Sequence, residues 1–514
     1  MRNKGSKDQQ MIQSQKSDDT DDSDELSIDI VIIGAGFAGL GAANTFHQNG
    51  ITNFLVLEAR DRIGGRSFTS YELGKDIPVD LGSSWIQGKR RNPILSLVRQ
   101  HGISYEDVSQ SHIFYDGTHQ SEVSSVKMKK LKKMYWDDFW SYMEEQQETR
   151  QDTGKPDTSV RQIVDNYLHE KGIYHNKEMR QLFETALHSE IVSEYAADLE
   201  DLSLFSWDDD EQLSGGDCFL AVGPQNTGYS AVVEALAKPF RSQIQLNSIV
   251  HGIKYGTEGV RISYACKGEV KCIVAKHTII TLPLGVLKAN FVKFSPPLPL
   301  YKQVAIKTMG NGIYNKCILY WEDMDESRVF WPKEKEWIVK LNPLCDDKSV
   351  ENAWLEFYNA YTVNGNKPVL VGFASGKRGS AVERLTDKEI TEDAIASLRS
   401  MFGYDKVPDP TKSIVTRWET DEFSRGSYSF LAVGSTKQSR IDLARPVGDQ
   451  LWFAGEATDT LFPSTTQGAL TSGERAAHKL MEILATNNQF SRRRSRNSSA
   501  RRSGSCARLL ALMK

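Results

Sequence analysis

A chain of 514 residues, 39% hydrophobic and 25% charged, has the make-up of a folded, water-soluble protein larger than one typical domain. Its net charge of -4 gives no reason to expect nucleic acid or a membrane as main partner, and no stretch offers the roughly eighteen uncharged apolar residues of a membrane span. Cys218, Cys266, Cys272, Cys317, Cys345 and Cys506 lack metal-ligand spacing, so no metal is expected and most read as buried thiols of an intracellular protein.

Residues 1–26 are polar and acidic and read as a disordered leader without the apolar core of a signal peptide. The apolar run Ile28 to Ile33 then predicts a buried strand, and Ala38 to Asn49 a helix. Between them Gly34, Gly36 and Gly39 stand at G-x-G-x-x-G spacing. In such a turn Gly34 reverses the chain, Gly36 lets backbone approach a pyrophosphate, and Gly39 lets helix and strand pack closely. A second apolar run, Phe54 to Leu57, ends in Glu58, nineteen residues after Gly39, where an acid can accept hydrogen bonds from an adenosine ribose. Next come Gly64, Gly65 and Arg66, able to admit and neutralise phosphate. Two phosphate-binding stretches so close together favour a flavin dinucleotide over a nicotinamide one.

Residues 105–200 alternate in helical fashion, as in "KMKKLKKMYWDDFWSYMEEQQ". Tyr135, Trp136, Phe139, Trp140 and Tyr142 supply an apolar side, so the lysines read as a solvated face rather than a nucleic-acid helix. Residues 244–282 predict short strands of a small antiparallel or mixed sheet, and 313–375 a second strand-rich region. Gln450 to Ala457 reads as a strand running into glycine, followed by a helix beginning near Thr466. From Ser491 to Lys514 the chain carries seven arginines and one lysine without an acid. That tail reads as solvated, and it adds a nuclear alternative to a cytoplasmic location.

Five of these stretches together resemble the flavin-dependent amine oxidase family, specifically its polyamine oxidase branch. They are the glycine turn with Glu58, "RIGGR", "VDLGSSWIQG", "TLPLGVLKANFVKFSPPLP" and "WFAGEATDTLFPSTTQGALTSGERAA". The resemblance implies an α/β, two-domain flavin amine oxidase fold. Its discontinuous Rossmann-like FAD-binding domain would be drawn from residues 27–105, 225–305 and 440–487, and its α+β substrate domain from 106–224 and 306–439, with 488–514 as a basic tail. It implies noncovalent FAD, because Ser427 stands where monoamine oxidases carry the linking cysteine. Cofactor contacts are expected at Gly34, Gly36, Gly39, Glu58, Arg60, Gly65, Arg66, Gly82, Ser83, Trp85, Val250, Trp418, Gly455, Glu456, Thr465 and Thr466. Lys316 resembles the family lysine that holds a water against flavin N5, and Tyr428 the aromatic residue beside the flavin face. Thr465 or Thr466 stands where monoamine oxidases place a second tyrosine, so a more open pocket is expected on that side.

For substrate, the resemblance points to Tyr428, to Gln87 near the tunnel mouth, and to Glu194, which shares a predicted helix face with Glu190. Asp208, Asp209 and Asp210 read as a solvated surface run. The expected activity is oxidation of a secondary amine in spermine, spermidine or an acetylated polyamine, with hydride transfer to flavin N5 and O2 reduced to hydrogen peroxide. A lysine-specific histone demethylase-like oxidase, or a flavoprotein retained for ligand binding, stands as the alternative. The expected partners are a small polyamine and O2, with no nucleic acid and no membrane.

Overall fold

Two sheets organise the chain in this computed structural model, which describes residues 27–109, 111–223, 227–342 and 353–486. The leader, the arginine-rich tail, Cys345 and Cys506 lie outside the described residues. Of the other cysteines, Cys218, Cys266 and Cys317 are buried thiols, whereas Cys272 is exposed.

The first sheet has eight strands and is built around the apolar run predicted first, Ser27–Ile33. Ile30, Val31 and Ile32 are fully buried, as a strand covered on both faces of a parallel sheet requires. Phe54–Leu57 pairs with it in parallel on one side, Glu269–Ile280 on the other, and Leu451–Phe453 extends the parallel set beyond Glu269–Ile280. Residues 244–282 do not form a separate small sheet. Glu269–Ile280 is 12 residues long, about 40 Å of strand, so it serves two arrangements at once. It pairs antiparallel with Gly259–Cys266, itself paired with Ser248–Gly256, and also enters the parallel sheet. Helices Phe37–Gln48, Gly228–Ala237 and 466–486 share an apolar core with the parallel strands through Phe37, Leu40, Val232, Leu470 and Leu480.

The second sheet has seven strands, in the order Lys412–Val415, Tyr314–Tyr320, Val369–Ser375, Glu356–Asn359, Trp337–Lys340, His112–Asp116 and Ser121–Glu122. One face packs Leu319, Phe357 and Leu370 against Ile390, Ile395 and Leu398 of helix Asp387–Phe402. In the register of the other face, Lys316 lies opposite Phe373 and Phe373 opposite Glu356. Helices between Ser125 and Tyr195 gather around Tyr135, Phe139, Tyr167 and Phe183. Lys129, Lys130, Lys132 and Lys133 are exposed there. Trp136, expected on the apolar side, is 38% exposed, because a π-helical stretch, Lys133–Phe139, shifts the phase of the helix at that point.

Candidate active site

The two sheets and the helical segment enclose one cavity of about 730 Å³. Every site residue singled out from the sequence lines it except Gly39.

The glycine turn explains that exception. Gly34 turns the chain at φ +104° and donates its N–H to Leu57 O. Gly39 packs so tightly that any Cβ there would collide with Gly34 O. Gly36 differs, for a Cβ on it would meet nothing closer than Gly64 O at 3.9 Å. It also caps helix Phe37–Gln48 without a side-chain hydrogen bond, so the positive helix end faces the cavity. Glu58 is 5% exposed and accepts from Ala35 N at 2.7 Å and Arg60 N at 2.9 Å, one bond per carboxylate oxygen. Burial raises its carboxyl, the two backbone donors opposing. Each oxygen keeps a lone pair for a ribose hydroxyl. Space beside Gly36, an uncapped helix start and a positioned acid together fit a dinucleotide such as FAD.

Arg60 makes a fork-to-fork pair with Asp421, at 2.9 and 2.6 Å, and also donates to Ser424, so its guanidinium is already committed to the segment after Trp418. Gly82 lies against Arg66 O on one side, and Trp418 is the nearest ring to the space a Cβ on Gly82 would take, at 3.4 Å. Ser83 shares a hydrogen bond with Ser67 at 2.6 Å, and Val250 sits buried on the strand Ser248–Gly256. Gly455 donates to Ser472 Oγ. Thr465 caps the helix beginning at 466 by accepting from Gly468 N at 3.0 Å. Thr466 and the Trp85 carbonyl meet on the Tyr229 hydroxyl.

Arg66 donates to Glu456 at 3.0 Å and to Ser427 O at 2.8 Å. Burial alone would raise the Glu456 carboxyl, but Arg66, the Ser429 hydroxyl and Arg440 together hold it below its ordinary 4.5. Arg440, which sequence reasoning missed, completes the network by donating to Ser429 Oγ at 2.7 Å. Because the folded value is depressed, this carboxylate's contribution is complete above the ordinary value and lost as pH falls through the folded one. Glu456→Ala, which strands two arginines, is expected to cost about 3–5 kcal/mol in a chemical-denaturation comparison near neutral pH. A loss of under about 1 kcal/mol would show that the arginines find other partners.

Lys316 is 3% exposed, and Nζ donates to Asp80 O at 2.8 Å, Gly82 O at 2.6 Å and Ser84 Oγ at 2.6 Å. An ammonium has three N–H groups, so all are used within the chain. Desolvation pulls Lys316 down to about 8, against the charge of Asp80. Desolvation likewise pushes Asp80 up to about 7, opposed by Thr69, Lys316 and Tyr229. The neutral amine carries a lone pair, and that form has the capacity to take up a water's proton.

Beyond Lys316 the cavity wall is aromatic and then acidic. Trp85 and Trp337 stack at 5.7 Å, Tyr314 and Phe373 at 5.0 Å, and Tyr428 meets Tyr314 edge-on at 6.3 Å. Tyr428 OH donates to Ser193 O at 3.1 Å, and burial holds its phenol far above its ordinary range. Gln87 Nε2 donates to Glu194 Oε1 at 3.5 Å, so two residues expected to recognise substrate do meet. Glu194 is exposed by surface area and lines the cavity, where desolvation, then Asp210, Asp217 and Glu190, push its carboxyl up to about 7. The turn carrying Glu190 is π-helical, His188–Val192, yet both acids line the cavity.

Asp210 corrects the sequence reading: it is half-buried on the cavity wall and accepts from Tyr195 OH at 3.2 Å, whereas Asp208 and Asp209 are exposed as expected, Asp209 at the cavity's border. Sequence reasoning also missed Glu356. Its signal was a single acid inside the apolar stretch "AWLEFYN", which the sheet then buries.

Comparison with known proteins agrees with this site. The family model described as flavin containing amine oxidoreductase matches residues 37–481. Polyamine oxidase 3 of Oryza sativa subsp. japonica is 32% identical over 88% of this chain and 89% of its own length. Polyamine oxidase 2 of Arabidopsis thaliana is 33% identical over 87% of each. Lysine-specific histone demethylase 1 homolog 2 of Oryza sativa subsp. japonica is 32% identical over 89% of this chain, which spans only 57% of that protein. Among solved structures, a putrescine oxidase bound to putrescine shares the fold, with TM-score 0.69 at 18% identity over 89% of this chain and 99% of that one. The chain therefore belongs to the flavin-containing amine oxidoreductases, in their polyamine oxidase branch, with FAD as its cofactor.

Proposed function

We propose that the chain oxidises a secondary amine of spermine, spermidine or an acetylated polyamine, releasing an aldehyde and a shorter amine while O2 becomes hydrogen peroxide. The observation that carries this reading is one cavity joining the glycine cradle and Lys316 to a wall bearing Glu190, Glu194, Asp210 and Glu356. FAD, when bound, supplies the hydride acceptor and the route to O2. Carboxylates spaced along the wall attract and orient a polycation. Tyr428, tethered through Ser193, and Tyr314 narrow the approach to an alkyl chain. Trp85, Trp337 and Phe373 exclude water from the stretch in which an α C–H would be held.

The amine must be neutral at the reacting nitrogen, whereas an alkylammonium like that of lysine keeps its proton to about pH 10.4. Lys316, pulled down to about 8, gains its lone pair on the alkaline side as well. Both deprotonations favour turnover as pH rises, so the rate is expected to climb from about pH 6 to 9. A flat profile over that range would remove both steps from the rate.

The direct test is anaerobic bleaching of the purified flavoprotein by spermine, spermidine, acetylated spermine and a methyl-lysine peptide. Bleaching by a polyamine is the expected result. Bleaching by the peptide alone would favour the activity named in the demethylase relatives, and bleaching by none would favour a binding role.

A further inference from the structure

Strand Tyr314–Tyr320 sends Lys316 toward the cavity and its neighbour Asn315 to the opposite face of the sheet, the face packed on helix Asp387–Phe402. Asn315 is fully buried, and its amide makes every hydrogen bond open to it. Oδ1 accepts from Thr416 Oγ1 at 3.2 Å and Trp418 N at 3.1 Å, while Nδ2 donates to Gly379 O at 3.2 Å and Glu383 Oε1 at 2.7 Å. Glu383, 7% exposed and off the cavity wall, sits just past helix Gly376–Val382. It also accepts from Glu419 N at 2.8 Å through Oε1 and from Thr420 N at 2.7 Å through Oε2. Three N–H groups thus converge on two oxygens, which an acceptor-only carboxylate satisfies and an amide does not.

What these bonds hold is a loop. Past Val415 the chain leaves the second sheet and is not in a strand again until Tyr428. Within that loop Trp418 lines the glycine-cradle part of the cavity, its ring 3.4 Å from where a Cβ on Gly82 would stand, and Gly82 itself abuts Arg66 O. Asp421 makes the fork-to-fork pair with Arg60, two residues beyond Glu58. Arg417 ties the start of the loop to Asp387 at 2.6 Å, and Gly426 N donates to Trp418 O at 2.7 Å. Only Asn315 and Glu383 bind the backbone of residues 418–420 from behind, on the side away from the cavity.

We propose that Glu383 is a positioning residue of the flavin site, which through Asn315 and the amides of Glu419 and Thr420 fixes the backbone that presents Trp418 to the FAD. It touches neither cofactor nor substrate. The inference rests on Trp418 bordering the FAD and goes beyond the proposed function, since it does not depend on which amine is oxidised. A ring carried on a loop is placed only as accurately as the bonds behind it allow. Glutamine at 383 would set an N–H donor against one of the N–H groups that converge there.

The test compares wild type, Glu383→Gln, Trp418→Ala and the double variant as holoproteins, by FAD dissociation constant and by visible circular dichroism of the bound flavin. Each single change is expected to weaken FAD binding at least about tenfold and to alter the flavin bands. The double variant is expected to bind within about threefold of the weaker single variant, because a misplaced ring and an absent ring forfeit the same contact. A larger loss in the double variant, no loss for Glu383→Gln, or unaltered flavin bands in either single variant overturns the proposal. Glu383→Asp keeps the carboxylate but reaches about 1.5 Å less, and should Glu383→Gln fail to fold it takes its place in the cycle, judged by the double variant and the flavin bands. If the holoprotein oxidises no amine while the cycle holds, the proposed activity falls and the inference stands.

Discussion

Lys316→Met is expected to keep bound flavin and to slow amine turnover at least about tenfold, roughly 1.4 kcal/mol on the barrier. Methionine fits the length of the lysine stem among Trp85 and Phe373, whose rings lie within 6 Å of Nζ, so the packing is largely preserved. What goes is the donor to Asp80 O, Gly82 O and Ser84 Oγ, together with the positive charge that lowers the Asp80 carboxyl. Each buried acceptor left unpaired costs about 1–3 kcal/mol, so a lower melting temperature accompanies the slower rate. The two effects separate in stopped-flow measurements. Flavin reduction at saturating amine reports the chemical contribution, while the melting curve of the holoprotein reports the structural one. A variant that melts lower but reduces its flavin at the wild-type rate would make Lys316 a structural residue only.

Gly36→Ala is expected to give a folded protein that no longer retains flavin, whereas Gly39→Ala is expected to damage the fold itself. The difference follows from what a methyl group would meet. At Gly36 it reaches no protein atom nearer than 3.9 Å, so the chain tolerates it, but it occupies the space beside the helix start that the G-x-G-x-x-G pattern would leave for a pyrophosphate. At Gly39 it runs into the Gly34 carbonyl, backbone that can yield only by separating helix Phe37–Gln48 from strand Ser27–Ile33. Overpacking of that kind costs about 1–3 kcal/mol or more. Flavin absorbance after gel filtration and the far-UV melting curve distinguish the two outcomes. Retention of flavin by Gly36→Ala would place the pyrophosphate elsewhere.

The sequence by itself determined the cradle, because its parts are local. Strand, glycine turn, helix, second strand and Glu58 lie within one continuous stretch, and glycine spacing constrains backbone conformation directly. Lys316 and Tyr428 were legible through resemblance, and the structure sets both on the wall of the cavity that holds the cradle. Tertiary structure alone decided the rest. Arg66 and Glu456 are 390 positions apart, and Arg440 joins them by its charge and by a hydrogen bond to Ser429. Asp210 read as part of a hydrated run until the fold set it against the Tyr195 hydroxyl on the cavity wall. Glu356 joins Lys316 by the register of three strands, which sequence pattern does not encode when every strand is buried on both faces. Periodicity reports which residues avoid water; which buried acid meets which buried hydroxyl depends on how separate strands and a π-helical turn are brought side by side.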